Sequence, residues 1–223
     1  MRILITAALV VMSLQRLLPA DEPDRGARSD LNAKLVAEAR RLIREFPITS
    51  YSHKTHIDRE RGICELDCSG FVGTILKHVS PEHLAAIRTA HERPLAEDFY
   101  RAFASGGSRG WKQIHRVESA NVGDVIAWLK LERKPGDSTG HVMVIAEKPV
   151  MVSSSRARVR VFDSTLHGHA HDTRPQGKNG IGEGTIWLEL DANGHPLAFH
   201  WKSVEIAPHE VPIRIGRAVP VRN

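Results

Sequence analysis

The chain has 223 residues, 41% of them hydrophobic, which is enough for one compact domain with its own core and no need of disulfide staples. Lys and Arg number 31 against 26 Asp and Glu, a formal net charge of +5 that favours acidic surroundings such as an anionic polymer. The basic residues are scattered, and Arg156, Arg158 and Arg160 alternate as on the wet face of a strand, so composition argues against nucleic acid as the partner.

Residues 1–20 run from one basic residue through an apolar stretch, Ile3 to Leu14, to a close at Pro19-Ala20. That order is the pattern of a secretory signal cleaved near Ala20, so the protein is expected to be exported, to the periplasm or the cell exterior. The stretch is too short and interrupted to form a membrane span. Residues 21–28 read as a polar link, and residues 29–223 as a single domain.

The segment SDLNAKLVAEARRLIREF places Leu31, Leu35, Ala39, Leu42 and Phe46 on one helical face, with Ser29 or Asp30 as N-cap. SPEHLAAIRTAHERP predicts a helix with a Ser80 cap and Pro81 at its first position, and PLAEDFYRAFASGG predicts another that ends at glycine. From Trp111 onward the texture changes. GDVIAWLKL, HVMVIAE, RVRVFDS, GTIWLEL, LAFHW and VPIRIG are short β-branched or aromatic runs separated by Gly, Pro, Asn and Asp. Helices first and mostly adjacent strands later predict an α+β domain with an antiparallel sheet.

One cysteine stands out against this pattern. In ELDCSGFVGTIL, Cys68 opens an apolar run of helical spacing, where the unpaired amides and dipole of a helix start stabilise a thiolate. A thiolate is the nucleophile that acyl transfer needs, provided a base stands nearby. Among thirteen histidines, His141 is set apart because STGHVMVIAE puts it at the first residue of a strongly apolar strand, a rigid place at a sheet rim. The next strand brings Asp163 to the end of its own apolar run, beside His141 if the two strands pair. A carboxylate there would hold the imidazole in one tautomer.

DCSGFV, followed by VGDVIAW and then GHVMVIAE, resembles the NlpC/p60 cysteine peptidases, papain-like bacterial cell-wall hydrolases with a Cys-His-polar triad. The resemblance runs from about Ile48 to Ser164 and implies a papain-like NlpC/p60 fold, with N-terminal helices packed on an antiparallel sheet and the nucleophile at a helix start. It implies Cys68 as nucleophile, His141 as base and Asp163 as third member, with His167 as the alternative for that place. Asp67 and Ser69 fall where relatives hold the substrate's peptide end, and Tyr51 falls where many keep an active-site tyrosine. The implied activity is cleavage of amide bonds in peptidoglycan stem peptides without metal or organic cofactor. The same scaffold is open to an amidase or acyltransferase on another acyl donor, or to a non-catalytic wall-binding module.

Three further features have plainer readings. Cys64 is expected to pack rather than to bridge Cys68. The alternating His167, His169 and His171 of HGHAHDTR read as a polar loop near the site in preference to a zinc site. GKNGIGEG lacks the ending of a phosphate-binding loop, and its glycines suit a mobile flap.

Overall fold

The computed structural model describes residues 24–105, 110–134 and 136–221, so the expected signal at residues 1–20 lies outside the described residues. Helix α1 (Asp24–Glu45) leads into three short strands, β1 (Ile48–Ser50), β2 (His56–Asp58) and β3 (Ile63–Glu65). Helices α2 (Cys68–Val79), α3 (Pro81–Ala85) and α4 (Ala96–Ala104) follow. The rest is strand: β4 (Trp111–Ile114), β5 (Val125–Leu129), β6 (Gly140–Ile145), β7 (Val150–Ser153), β8 (Arg156–Thr165), β9 (Gly180–Leu190), β10 (Pro196–His200), β11 (His209–Glu210) and β12 (Ile213–Ala218). The class is α+β with one large antiparallel sheet, in the order β11-β10-β9-β8-β6-β5-β12-β4, with β7 paired beside β8. The first three strands form a separate small sheet, β1-β3-β2. Among the described residues no helix is long and apolar enough to cross a membrane.

The sheet divides the apolar side chains by parity. Val125, Ala127, Val142 and Val144 join a core with Leu35, Ala39, Leu42, Phe71, Ile75, Phe99 and Phe103 from α1, α2 and α4. Ile126, Trp128, Met143 and Ile145 join a second core with Val159, Val161, Ile186, Leu188, Phe199, Ile213 and Ile215. Alternate residues of a strand point to opposite faces, so each central strand is apolar throughout and serves both cores. Phe199 of β10 and Ile213 of β12 share the second core although four other strands separate β10 from β12 in the sheet order, so the sheet curls around it. The C-terminal strands belong to this framework, because β12 lies between β5 and β4 and pairs with both.

Two predicted boundaries move. α1 begins at Asp24, inside the segment read as a link, and Ser29 and Asp30, read as caps, lie within it. A helix nucleated by the buried stripe of Leu35, Ala39 and Leu42 propagates back through residues that do not break it. The segment predicted as one helix from Ser80 stops at Ala85. Beyond it the chain turns inward to bury Ile87, and Thr89 Oγ1 donates to Asp98 Oδ2 at 2.9 Å.

Gly140 shows how tightly the start of β6 is fitted. Its φ is +149°, and a Cβ there would lie 1.9 Å from the carbonyl oxygen of Trp128 on the neighbouring strand. Gly140→Ala is expected to destabilise by about 3 kcal/mol or more through strain and backbone displacement. Gly73, within α2, would bring its Cβ to 3.9 Å from Leu84 Cδ1, an ordinary contact. Gly73→Ala is expected to stabilise by about 0.5–1 kcal/mol through helix propensity. Chemical denaturation of both variants checks the contrast.

Candidate active site

α2 starts at Cys68 because Asp67 caps it. Asp67 has extended backbone, and its Oδ1 accepts from the Gly70 amide at 2.7 Å, satisfying one of the orphan donors of the first turn. The cap fixes where the helix begins and so places the Cys68 sulfur at its start, buried to 3% exposure. Cys68 lines a narrow cleft of about 70 Å³ with Tyr51, His53, Asp67, Ser69, Leu95, Ala96 and the loop leading to Gly140. A wider groove of about 630 Å³, lined by Leu197, His200, Ile206 and their neighbours, contains none of these groups.

His141 is the second residue of β6, opposite Trp128 of β5. β6 and β8 are antiparallel neighbours through Val144–Phe162 and Ile145–Val161, and the inserted hairpin arm β7 does not disturb that pairing. The register carries Asp163 to His141, whose Nε2 donates to Asp163 Oδ2 at 2.6 Å. A carboxylate only accepts, so Nε2 carries the proton and Nδ1 is the ring nitrogen left for the thiol. His141 is raised to about 10: burial pulls it down, but the negative charge on Cys68 and hydrogen bonds to Asp163 and Cys68 outweigh that. Trp201 and Trp128 enclose the ring, each with its centroid 5.3 Å from that of His141.

Asp163 is fully buried and held by more than His141. Its Oδ2 also accepts from His169 Nε2 at 2.8 Å, and its Oδ1 accepts from Arg174 Nη2 at 2.5 Å. Arg174, itself 8% exposed, also donates through Nε to the Gly180 carbonyl and through Nη1 to Asp172 Oδ2. Burial works against the carboxylate charge, yet His169, Arg174 and the bonds from both imidazoles hold Asp163 well below the usual carboxylate range. Ser164 Oγ donates to the Leu66 carbonyl at 2.6 Å, tying the strand that carries Asp163 to the residue before the α2 cap.

The sequence-derived residues are thus brought together around one cleft, with differences of detail. Asp163, not His167, meets His141; the His167 side chain is exposed, and its backbone carbonyl accepts from Trp201 Nε1. The three alternating histidines do not share a face: His169 is buried while His167 and His171 are exposed, and His171 takes a left-handed backbone with φ +47°. Among the described residues no group of three or more His, Cys, Asp or Glu side chains is arranged to hold a metal ion. Asp67 and Ser69 line the cleft but are already engaged by Arg93. Tyr51 lines it too, its hydroxyl pushed strongly upward by burial and by the charges of Cys68 and Asp67, so it stays a donor. Cys64 is a buried free thiol raised to about 11 by burial, an inert packing group.

The flap reading of GKNGIGEG is corrected. Asn179 Oδ1 accepts from the Tyr51 amide at 2.8 Å, and a Cβ on Gly180 or Gly182 would lie 2.6 Å from Thr49 Oγ1 or 2.7 Å from the Arg174 side chain. These glycines allow close packing, and the segment supports the cleft wall. Arg93, His169, Arg174, Asn179 and Trp201 were not singled out as site residues from the sequence. Of these only His169 left a trace, in the alternating histidines.

Compared with protein-family models, curated proteins and solved structures, the chain matches none of them.

Asp163 and Arg174 form a buried pair, so removing one charge strands the other. Asp163→Asn is expected to cost on the order of 3–5 kcal/mol, read as a lowered denaturation midpoint. A loss under about 1 kcal/mol would contradict the buried-pair account.

Proposed function

We propose that the chain is a cysteine peptidase of the papain-like NlpC/p60 type that hydrolyses amide bonds in peptidoglycan stem peptides. The observation that carries this reading is the thiol, imidazole and carboxylate in series: Cys68 beside His141, and His141 Nε2 on Asp163. Cys68 Sγ attacks the amide carbonyl carbon, with its proton held on His141 Nδ1. The tetrahedral oxyanion is met by the Cys68 backbone amide, which as part of the first helical turn has no intrahelical acceptor, and by the Tyr51 hydroxyl on the same cleft. Collapse breaks the carbon–nitrogen bond, and His141 gives its proton to the leaving amine. Water, deprotonated by His141, then hydrolyses the thioester and returns the thiol. Asp163 keeps the ring turned with Nδ1 toward sulfur throughout, and Trp128 and Trp201 pack against the ring. The stem-peptide substrate and the export of the protein follow from the resemblance carried by DCSGFV and GHVMVIAE and from the residue 1–20 pattern, and the net positive charge suits an anionic wall.

Wild type incubated with purified peptidoglycan and isolated stem peptides is expected to release new amine and carboxylate ends, seen by mass spectrometry. Cys68→Ala is expected to lose on the order of 10⁴-fold or more in rate. Intact substrate from wild type with a reduced thiol would contradict the reading. The pH dependence gives a second test. The folded state favours the imidazolium, so the proton for the leaving amine is present below the raised value and lost as pH rises through it. The alkaline limb of kcat/KM is therefore expected near 10, against the 6.5 of an ordinary imidazole. A limb near 6.5 would show that the Cys68 and Asp163 charges do not hold the proton on His141.

A further inference from the structure

His200 is the last residue of β10 and is buried to 3% exposure, yet both of its ring nitrogens meet acceptors. Nε2 lies 2.6 Å from Glu189 Oε1 on β9, and Nδ1 lies 2.8 Å from the Ile206 carbonyl oxygen. A carbonyl oxygen only accepts, and so does an ionised carboxylate. Burial pushes Glu189 up, but the bonds from His200 and from Arg156, whose Nε donates to the same Oε1 at 2.6 Å, hold it below the usual carboxylate range. An imidazole that donates from both nitrogens carries two protons, so His200 stands in this fold as an imidazolium. The other ionisable side chains around it are Lys202 and Glu205 on the loop 201–208 and His209 and Glu210 on β11; among the described residues none of them is bonded to the ring.

The bond from His200 to Ile206 ties down the loop 201–208, which joins β10 to β11. β11 pairs with β10 through Ala198–Glu210 and Phe199–His209 alone, and Val204 and Ile206 remain 37% and 61% exposed, so the loop gains little from apolar burial. Its first residue is Trp201. The indole Nε1 donates to the His167 carbonyl at 2.9 Å, and the ring lies 4.2 Å from His169 and 5.3 Å from His141 between centroids. An imidazole that has lost one proton can donate only once. The anionic Glu189 is the stronger acceptor and keeps the proton on Nε2, which leaves Nδ1 turning a lone pair on the Ile206 carbonyl. Two acceptors at that distance repel, and the loop is released one residue from Trp201.

We infer that His200 is a positioning residue for His141: while doubly protonated it fastens the loop 201–208 and so holds Trp201 against the imidazole. The inference rests on His141 being the base of the proposed reaction. His200 itself reaches only Glu189 and Ile206, and it acts through Trp201.

The test is an NMR titration of the nitrogen-labelled full chain from acid to alkaline pH, following the ring nitrogens of His200 and the indole N–H of Trp201, with His200→Gln and Trp201→Phe to assign the signals. At acid pH both His200 nitrogens are expected to carry protons. As pH rises Nδ1 is expected to lose its proton, and the Trp201 signal to shift with the same midpoint. Glu189→Gln, which removes the anion, is expected to move both transitions together to lower pH, and His200→Gln to abolish the Trp201 transition at that midpoint. A Trp201 signal that stays fixed through the His200 titration would overturn the inference, and so would a proton lost from Nε2 in place of Nδ1. The wild-type titration decides the matter even where a variant fails to fold. In stem-peptide cleavage on the acid side of the transition, His200→Gln is expected to lower kcat about three- to tenfold with KM held within about twofold. Wild type is expected to show a loss of the same size as a partial step at the His200 midpoint, apart from the complete loss expected near 10. An unchanged kcat in His200→Gln would overturn the positioning role. Absence of cleavage by wild type, with the coupled titration present, would remove the peptidase reading and leave the fastening of Trp201 by His200 standing.

Discussion

Asp163 is a carboxylate with no exposed surface, shared between two imidazoles and a guanidinium. A charge so deeply buried is tolerable only where it is paired and hydrogen-bonded, and its three partners come from two parts of the chain: His141 on β6, and His169 and Arg174 on the connection to β9. Each partner is itself constrained, Arg174 by Gly180 and Asp172, His169 by a tilted ring contact with Trp201 with centroids 4.2 Å apart. The orientation of His141 is thus set by a network, and the freedom of its other nitrogen to face Cys68 follows from that.

The same network explains why the proposed chemistry needs the whole fold. The helix that carries Cys68 is located by its Asp67 cap and by the apolar face of Phe71, Val72, Ile75 and Leu76 against the sheet. The sheet that carries His141 and Asp163 is held in register by apolar strands packed on both faces, including β12 from the end of the chain. The bond from Ser164 to Leu66 joins the two parts next to the site. Cys68 and His141 therefore sit on rigid elements, and the loops between α3 and α4 and between β8 and β9 supply the groups that tune charge around them.

What the sequence made legible divides along the same line. Periodicity located the buried face of α1, the start of α2 at Cys68, and β5, β6, β8, β9, β10 and β12, because each places apolar side chains in a core at fixed spacing. Cys68, His141 and Asp163 could be picked out because each stands at the end of such an element, where alternation or a cap fixes position. Arg93, Arg174 and Asn179 could not, since they act from loops whose course depends on distant partners such as Asp98, Gly180 and Thr49. The glycines of GKNGIGEG misled for a related reason: a glycine that permits close approach has the same letter as one that permits motion, and only the neighbouring Thr49 and Arg174 side chains distinguish them. Short strands such as β1, β2 and β11 carry too few residues for any period to register.

The account turns on a covalent bond forming at one sulfur. The most direct measurement is an acid quench of the chain during turnover of a stem peptide, followed by mass spectrometry of the fragment that contains Cys68. The expected result is an added mass equal to the acyl half of the substrate, located on Cys68 and absent when His141 is replaced. Turnover that proceeds with Cys68 never modified, under conditions in which an added thioester standard survives the quench, would contradict it.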